Sequence, residues 1–148
     1  MELQPLHPNV RKLWHVLALI FVVPLVVAAI VAGSLLQLPM AVVGVLSLVL
    51  LLAAALVPRL VYRRWRYTIR ESDLYTSRGA IWHVETVVPF DRIQFVESRQ
   101  GPLDRAFQLT GVVVYTAAGK ASSIPGLDVA TAESIREDLS KVAGTVTV

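Results

Sequence analysis

Two patterns of apolar residues divide this chain. From Val16 to Pro58 run 43 residues without Asp, Glu, Lys, Arg or His, and 35 of them are Ala, Val, Ile, Leu, Met or Phe. No polar face interrupts the run, so it predicts helices that are apolar all round, as a bilayer requires. From Trp65 onward the period shortens to two. Trp65, Tyr67 and Ile69 alternate with Arg66, Thr68 and Arg70, the signature of a strand with one dry face.

The apolar run is broken at Gln37-Leu38-Pro39, just after Gly33 and Ser34. Val16–Leu36 and Met40–Val57 would then form helices of about 31 and 27 Å, close to the hydrocarbon thickness. A single helix over the whole run would reach about 65 Å, far too long for one crossing. A transmembrane helical hairpin over 16–58 is therefore expected. Pro39 closes one helix and opens the next, because it lacks an amide donor and restricts its predecessor. Ala28, Ala29, Ala32, Gly33, Gly44 and Ser47 are expected to let the helices approach closely. A cleaved signal peptide fits less well, since the run is too long and no Ala-x-Ala site ends it.

Further along, turn residues separate β-rich runs. Strands are expected at 65–69, 74–76, 80–89, 93–99, 108–116 and 121–124, with Trp82 in the core. A helical turn is expected at 103–107, anchored by Leu103 and Phe107, and Gly111 suggests a bulge. Pro125-Gly126 should end the last strand. Asp128 then caps a helix whose Ala132, Ile135, Leu139 and Val142 form one apolar stripe. One sheet face buried under one helix implies a small barrel, roll or open α+β sheet.

Charge sharpens the division. The formal net charge is +3 with 14 Lys/Arg against 11 Asp/Glu. Four arginines fall within 59–66, whereas 67–148 carries eight basic and ten acidic residues. The basicity is thus a property of the membrane boundary, which argues against nucleic acid as a partner. Arg11 and Lys12 precede the hairpin, Arg59, Arg63, Arg64 and Arg66 follow it, and the turn between the spans is uncharged. The positive-inside rule then places both termini and the C-terminal domain in the cytoplasm of a multi-pass cell-membrane protein. Trp14, Tyr62 and Trp65 are expected with these cations at the membrane interface. The expected organisation is an N-terminal cytoplasmic segment (1–15), the hairpin (16–58), a basic juxtamembrane link (59–66) and a cytoplasmic domain (67–148).

Candidate chemistry is sparse. The chain has no cysteine and three histidines, which excludes disulfides, thiolate nucleophiles and sulfur-ligated metal. His83, Glu85 and Asp91 suggest ordinary surface polarity, with no nucleophile or ligand spacing beside them. No catalytic, cofactor or metal residue is assigned. Arg99, Asp104 and Arg105 flank the Gly101-Pro102 turn and form a candidate partner-binding rim.

Arg66-Tyr67-Thr68-Ile69, Leu74-Tyr75, Gly79, the long segment ETVVPFDRIQFVESRQGPLDRAFQLTGV (85–112) and SIPGLD (123–128), after His7-Pro8 and two spans, resemble the bacterial pleckstrin-homology-like, membrane-flanked (YdbS-like) family. The resemblance implies a partly open β-barrel of about seven strands capped by the C-terminal helix. It also implies membership of membrane-associated assemblies with no assigned activity. The function expected is a non-enzymatic scaffold, anchored among membrane lipids, that presents its domain to a membrane protein partner or a second copy. The alternatives are binding of anionic lipid headgroups or a small ligand, and service as an accessory subunit of a membrane enzyme or transport complex.

Overall fold

A computed structural model of the chain describes residues 2–144; the end of the expected C-terminal domain, 145–148, lies outside the described residues. Two long helices, α1 (Pro8–Leu35) and α2 (Met40–Arg64), form the hairpin. Gln37 takes a left-handed φ of 50°. With that residue turned, the Leu38 N–H returns to the Gly33 carbonyl at 2.9 Å, satisfying a helix-end acceptor in the Schellman manner. Pro39 sits at the N-cap of α2, where its missing N–H costs nothing. Both helices are long and apolar enough to cross a membrane, and their flanks face outward from the chain.

The helices touch through Gly33 and Val43, both buried. A Cβ on Gly33 would run into the Val43 side chain, so glycine sets the helix separation there. The expected contribution of Gly44 is not found: a Cβ there would meet no neighbouring atom within 4 Å. The second helix also continues through Arg64, so residues 59–64 of the basic stretch are helical turns.

Outside the two long helices the described chain forms seven strands in two sheets, one before α1 and six after α2. The first has the order β1 (Gln4–Pro5), β2 (Arg66–Ile69), β3 (Asp73–Arg78), β4 (Val84–Pro89), all antiparallel. The second is β5 (Ile93–Arg99), β6 (Leu109–Thr116), β7 (Gly119–Asp128). A one-turn 3-10 helix at Phe90–Arg92 connects the sheets, and the short α3 (Pro102–Ala106) connects β5 to β6. The two sheets face each other without a ladder joining them, so the barrel is open. Helix α4 (Val129–Gly144) caps the core with Ala132, Ile135 and Leu139 buried. Asp128 accepts from the Thr131 N–H at 3.0 Å, the expected N-cap. Val142, expected in the stripe, stays exposed.

Three local expectations are corrected. The third strand starts at Val84, because Ala80–His83 form a loop that leaves Trp82 82% exposed rather than in the core. Pro125-Gly126 does not end the last strand, which runs on to Asp128. A register shift between Thr110 and Val112, opposite Pro125-Gly126, lets β7 bend there while continuing to pair with β6. The N-terminal segment, expected as a separate cytoplasmic stretch, belongs to the domain. Gln4 and Pro5 pair with Tyr67 and Arg66, and Leu6, Val10 and Leu13 lie in the same core as Leu74, Leu109, Val112, Ile124 and Leu139.

That last feature decides the architecture. Burying a leucine-sized side chain stabilises by about 1.5–3 kcal/mol, and three such side chains from 6–13 enter the core. The His7 N–H bonds the Gly126 carbonyl at 3.2 Å and the Tyr62 hydroxyl donates to the Leu6 carbonyl at 3.0 Å. The domain therefore grips the base of both membrane helices. Because β1 and β2 belong to one sheet, the N-terminal segment and the C-terminal domain lie on the same side of the hairpin.

Candidate functional site: the membrane-boundary cleft and the outer sheet face

Four basic side chains converge where the hairpin meets the domain. Arg11, Lys12 and His15 from α1 and Arg59 from α2 line a cleft of about 440 Å³. One helical turn separates Arg11 from His15, so both reach the same flank. His15 brackets the two helices: Nδ1 lies 2.6 Å from the Arg11 carbonyl oxygen and Nε2 lies 3.2 Å from that of Ala55. Both partners are acceptors, so a neutral ring with its single N–H donates to one of these carbonyls at a time. Arg11, Lys12 and Arg59 are exposed, and no carboxylate among the described residues pairs with them. Three unneutralised cations at the edge of an uncharged hairpin suit an anionic group held at the membrane surface.

The remaining expected interface residues divide by environment. Arg63 is exposed in the last turn of α2, Arg64 donates to the Ala80 carbonyl at 2.6 Å, and Arg66 donates to the Trp65 carbonyl at 2.7 Å. Trp14 and Tyr62 are half-buried against the domain core. Trp65 departs furthest from the sequence reading, being 5% exposed within the core. The backbone explains it: Trp65 is the extended residue that leaves α2 and starts β2, and its ring turns inward with Tyr67.

A second candidate surface is the outer face of β5–β7, opposite the side that α4 covers. Phe95 and Tyr115 stack there with ring centroids 4.5 Å apart and planes 12° from parallel, although Phe95 is 54% exposed. Glu97 and Arg99 form an ion pair nearby at 3.6 Å. Arg99 and Asp104 line one small cavity of about 150 Å³ with Lys120 and Gly126; Arg105 is exposed and outside it. Asp104 also accepts from the Gly101 N–H at 2.9 Å, fixing the start of α3. The structure thus brings together two of the three rim residues. The aromatic pair beside them was missed, and the alternation Phe95-Val96-Glu97 facing Val113-Val114-Tyr115 was the signal for it.

The polar residues elsewhere hold structure. His83 Nε2 lies 3.1 Å from Glu85 Oε1 on an exposed edge. The Glu85 carboxyl is held below its ordinary range by hydrogen bonding from Tyr75 and then His83, and Tyr75 is correspondingly raised. Asp128 is lowered by its hydrogen bonds to Thr131. Burial, then the charge of Asp128, raises Tyr67. Among the described residues no group of three His, Asp or Glu side chains is placed to hold a metal ion.

Two apolar spans fused at their base to an open β-domain with one capping helix define a membrane-anchored pleckstrin-homology-like protein. The chain belongs to the bacterial PH domain family, whose model matches residues 10–143 and so takes in the hairpin as well as the sheets. It is similar to UPF0699 transmembrane protein YdbS of Bacillus subtilis (strain 168), at 29% identity over 143 residues, covering 92% of this chain and 89% of that protein. No solved structure matches it significantly.

Proposed function

We propose that this chain is a non-enzymatic interaction protein of the cell membrane, presenting its cytoplasmic domain to another membrane protein or to a second copy of itself. The observation that carries the reading is the outer face of the second sheet. Its exposed Phe95–Tyr115 stack is bordered by charges of both signs, Glu97, Arg99 and Lys120. An apolar centre within a mixed-charge rim suits a protein surface better than a uniformly anionic one. The domain's grip on the hairpin adds direction. Partners confined to the same membrane meet this face in a restricted orientation, which raises their effective concentration without new contacts. Arg99 and Asp104, two of the three rim residues, extend the same surface.

A photo-crosslinking residue at Phe95 in native membranes, followed by mass spectrometry, tests this. One reproducible adduct, absent with the probe at Glu71, is expected. A chain that stays monomeric and uncrosslinked at both positions would contradict it.

The basic cleft favours a second reading, recognition of an anionic lipid headgroup by Arg11, Lys12 and Arg59. Native mass spectrometry of the full chain from mixed bilayers should then retain phosphatidylglycerol over phosphatidylcholine, and the triple alanine variant should lose that preference. Equal retention of both lipids would remove this reading.

A further inference from the structure

The loop between β3 and β4 carries the most exposed large apolar pair outside the spans, and nothing in the interaction reading uses it. Ile81 is 87% exposed and Trp82 is 82% exposed. Two such neighbours on a soluble surface would be costly to leave in water, so their position in the fold matters. The register places them. Arg66 lies opposite Ser77, and Ser77 opposite Glu85, so that row is the end of the first sheet where α2 enters it. The loop 79–83 projects beyond that same end. Arg64, in the last turn of the second membrane helix, donates to the Ala80 carbonyl at 2.6 Å and ties the loop to that helix. The turn Glu71-Ser72 lies at the opposite end of the sheet, beyond the Ile69–Leu74 pair.

The loop's shape keeps the pair outward. Gly79 has φ +127°, and a Cβ there would collide with the Trp82 backbone carbonyl. Closing the loop this tightly leaves the Ile81 and Trp82 side chains pointing away from the sheet. Cations outnumber the one acid at the base: Arg78 precedes Gly79 and is exposed, Arg66 stands across from Ser77, Arg63 and Arg64 end α2, and Glu85 opposite Ser77 lies 3.1 Å from His83. An aliphatic and an indole side chain above a girdle of arginines match the two layers of a membrane interface, acyl boundary and anionic headgroup.

We infer that the loop 79–83 dips into the bilayer interface through Ile81 and Trp82. It is a third membrane attachment beside the two spans, and it fixes the tilt of the domain over the lipid. The occupant is the lipid surface that the hairpin already crosses, because the loop is joined to the point where the chain leaves that surface. The domain would then rest on three points, and its outer sheet face would hold one angle to the membrane.

The absence of cysteine makes the test direct. Single-cysteine variants Ile81→Cys and Glu71→Cys of the full chain, spin-labelled in phosphatidylglycerol/phosphatidylcholine nanodiscs, are compared by power saturation with oxygen and a water-soluble nickel chelate. The label at position 81 is expected to show several-fold lower nickel accessibility and higher oxygen accessibility than at 71. As a second readout on the otherwise native chain, brominated lipid should quench tryptophan emission, and Trp82→Phe should remove most of that quenching. Nickel accessibility at 81 equal to that at 71, or quenching unchanged by Trp82→Phe, would overturn the inference. So would protection at 81 that appears only in native membranes and not in nanodiscs, since that would assign the loop to a protein.

Discussion

Leucine and valine dominate both halves of this molecule, yet they do opposite work in each. In the hairpin, Leu48 and Val45 point away from the chain, and lipid supplies their neighbours. In the domain, Leu74 and Val112 are wholly buried, and the chain supplies its own. The hairpin is correspondingly held by little internal packing: Gly33 against Val43, and His15 bridging to Ala55. Helix α1 contains both regimes. Its first turns bury Val10 and Leu13 in the domain, and from Leu19 its side chains turn to the bilayer. Which solvent surrounds a residue, more than which residue it is, decides where its stabilisation comes from.

The most severe test of that contrast is a pair of identical substitutions. Leu6→Ala should lower the domain's stability by about 2–5 kcal/mol, as for any fully buried leucine. Leu48→Ala should leave the same urea transition, followed by tryptophan emission, nearly unmoved. Equal effects would dissolve the distinction. A charge probes the other side: Leu48→Arg should cost about 2.5–3.5 kcal/mol of insertion, read as loss of chain from the alkali-resistant membrane fraction. The joint between the regions comes next. Gly126 has φ +64° and its missing Cβ makes room for Val10, so Gly126→Ala should cost about 1–3 kcal/mol. Trimming Val10 to Ala in that background should recover part of the loss, a coupling visible in a double-mutant cycle.

The smallest effects concern protons. Asp128→Ala should cost about 1 kcal/mol through the lost helix cap. Because the Asp128 pKa is depressed in the fold, its stabilisation is complete above the ordinary aspartate value of about 4 and disappears as pH falls through the lower folded value. Tyr67 works in the opposite direction. Its raised pKa favours the folded state up to pH about 10, and that contribution is lost at higher pH. In Asp128→Asn the acid limb of a pH–stability profile should flatten, and the alkaline limb should shrink to the part that burial of Tyr67 sustains.

Reading the sequence recovered those parts of the fold where one period ran unbroken. The uncharged hairpin and the Ala132-Ile135-Leu139 stripe each repeat one spacing in one environment. Residues 4–13 were illegible for the converse reason. Two strand residues feeding a helix, whose partners are β2 at Arg66–Tyr67 and β7 at Gly126, far along the chain, leave no local pattern. Ile81-Trp82 misled because β-branched and aromatic residues favour strands, whereas Gly79 closes the loop too tightly for them to join one. Likewise, the arginine neighbours of Trp65 suggest an interface, yet the chain turns inward at that residue. The basic cleft was half visible: Arg11, Lys12 and Arg59 stood out as flanking charges. Their convergence with His15 depends on the helix pairing that the hairpin alone provides.

We propose that the N-terminal segment and the β-domain, which share one core, lie together on the cytoplasmic side of a twice-crossed membrane. Single cysteines at Glu2, Gln37 and Lys120 test it most directly, using an impermeant maleimide on intact cells and on inverted vesicles. Labelling of Gln37→Cys is expected from outside the cell, and of Glu2→Cys and Lys120→Cys together from the vesicle exterior only. Labelling of Glu2→Cys and Lys120→Cys from opposite sides, or of both on intact cells, would contradict it.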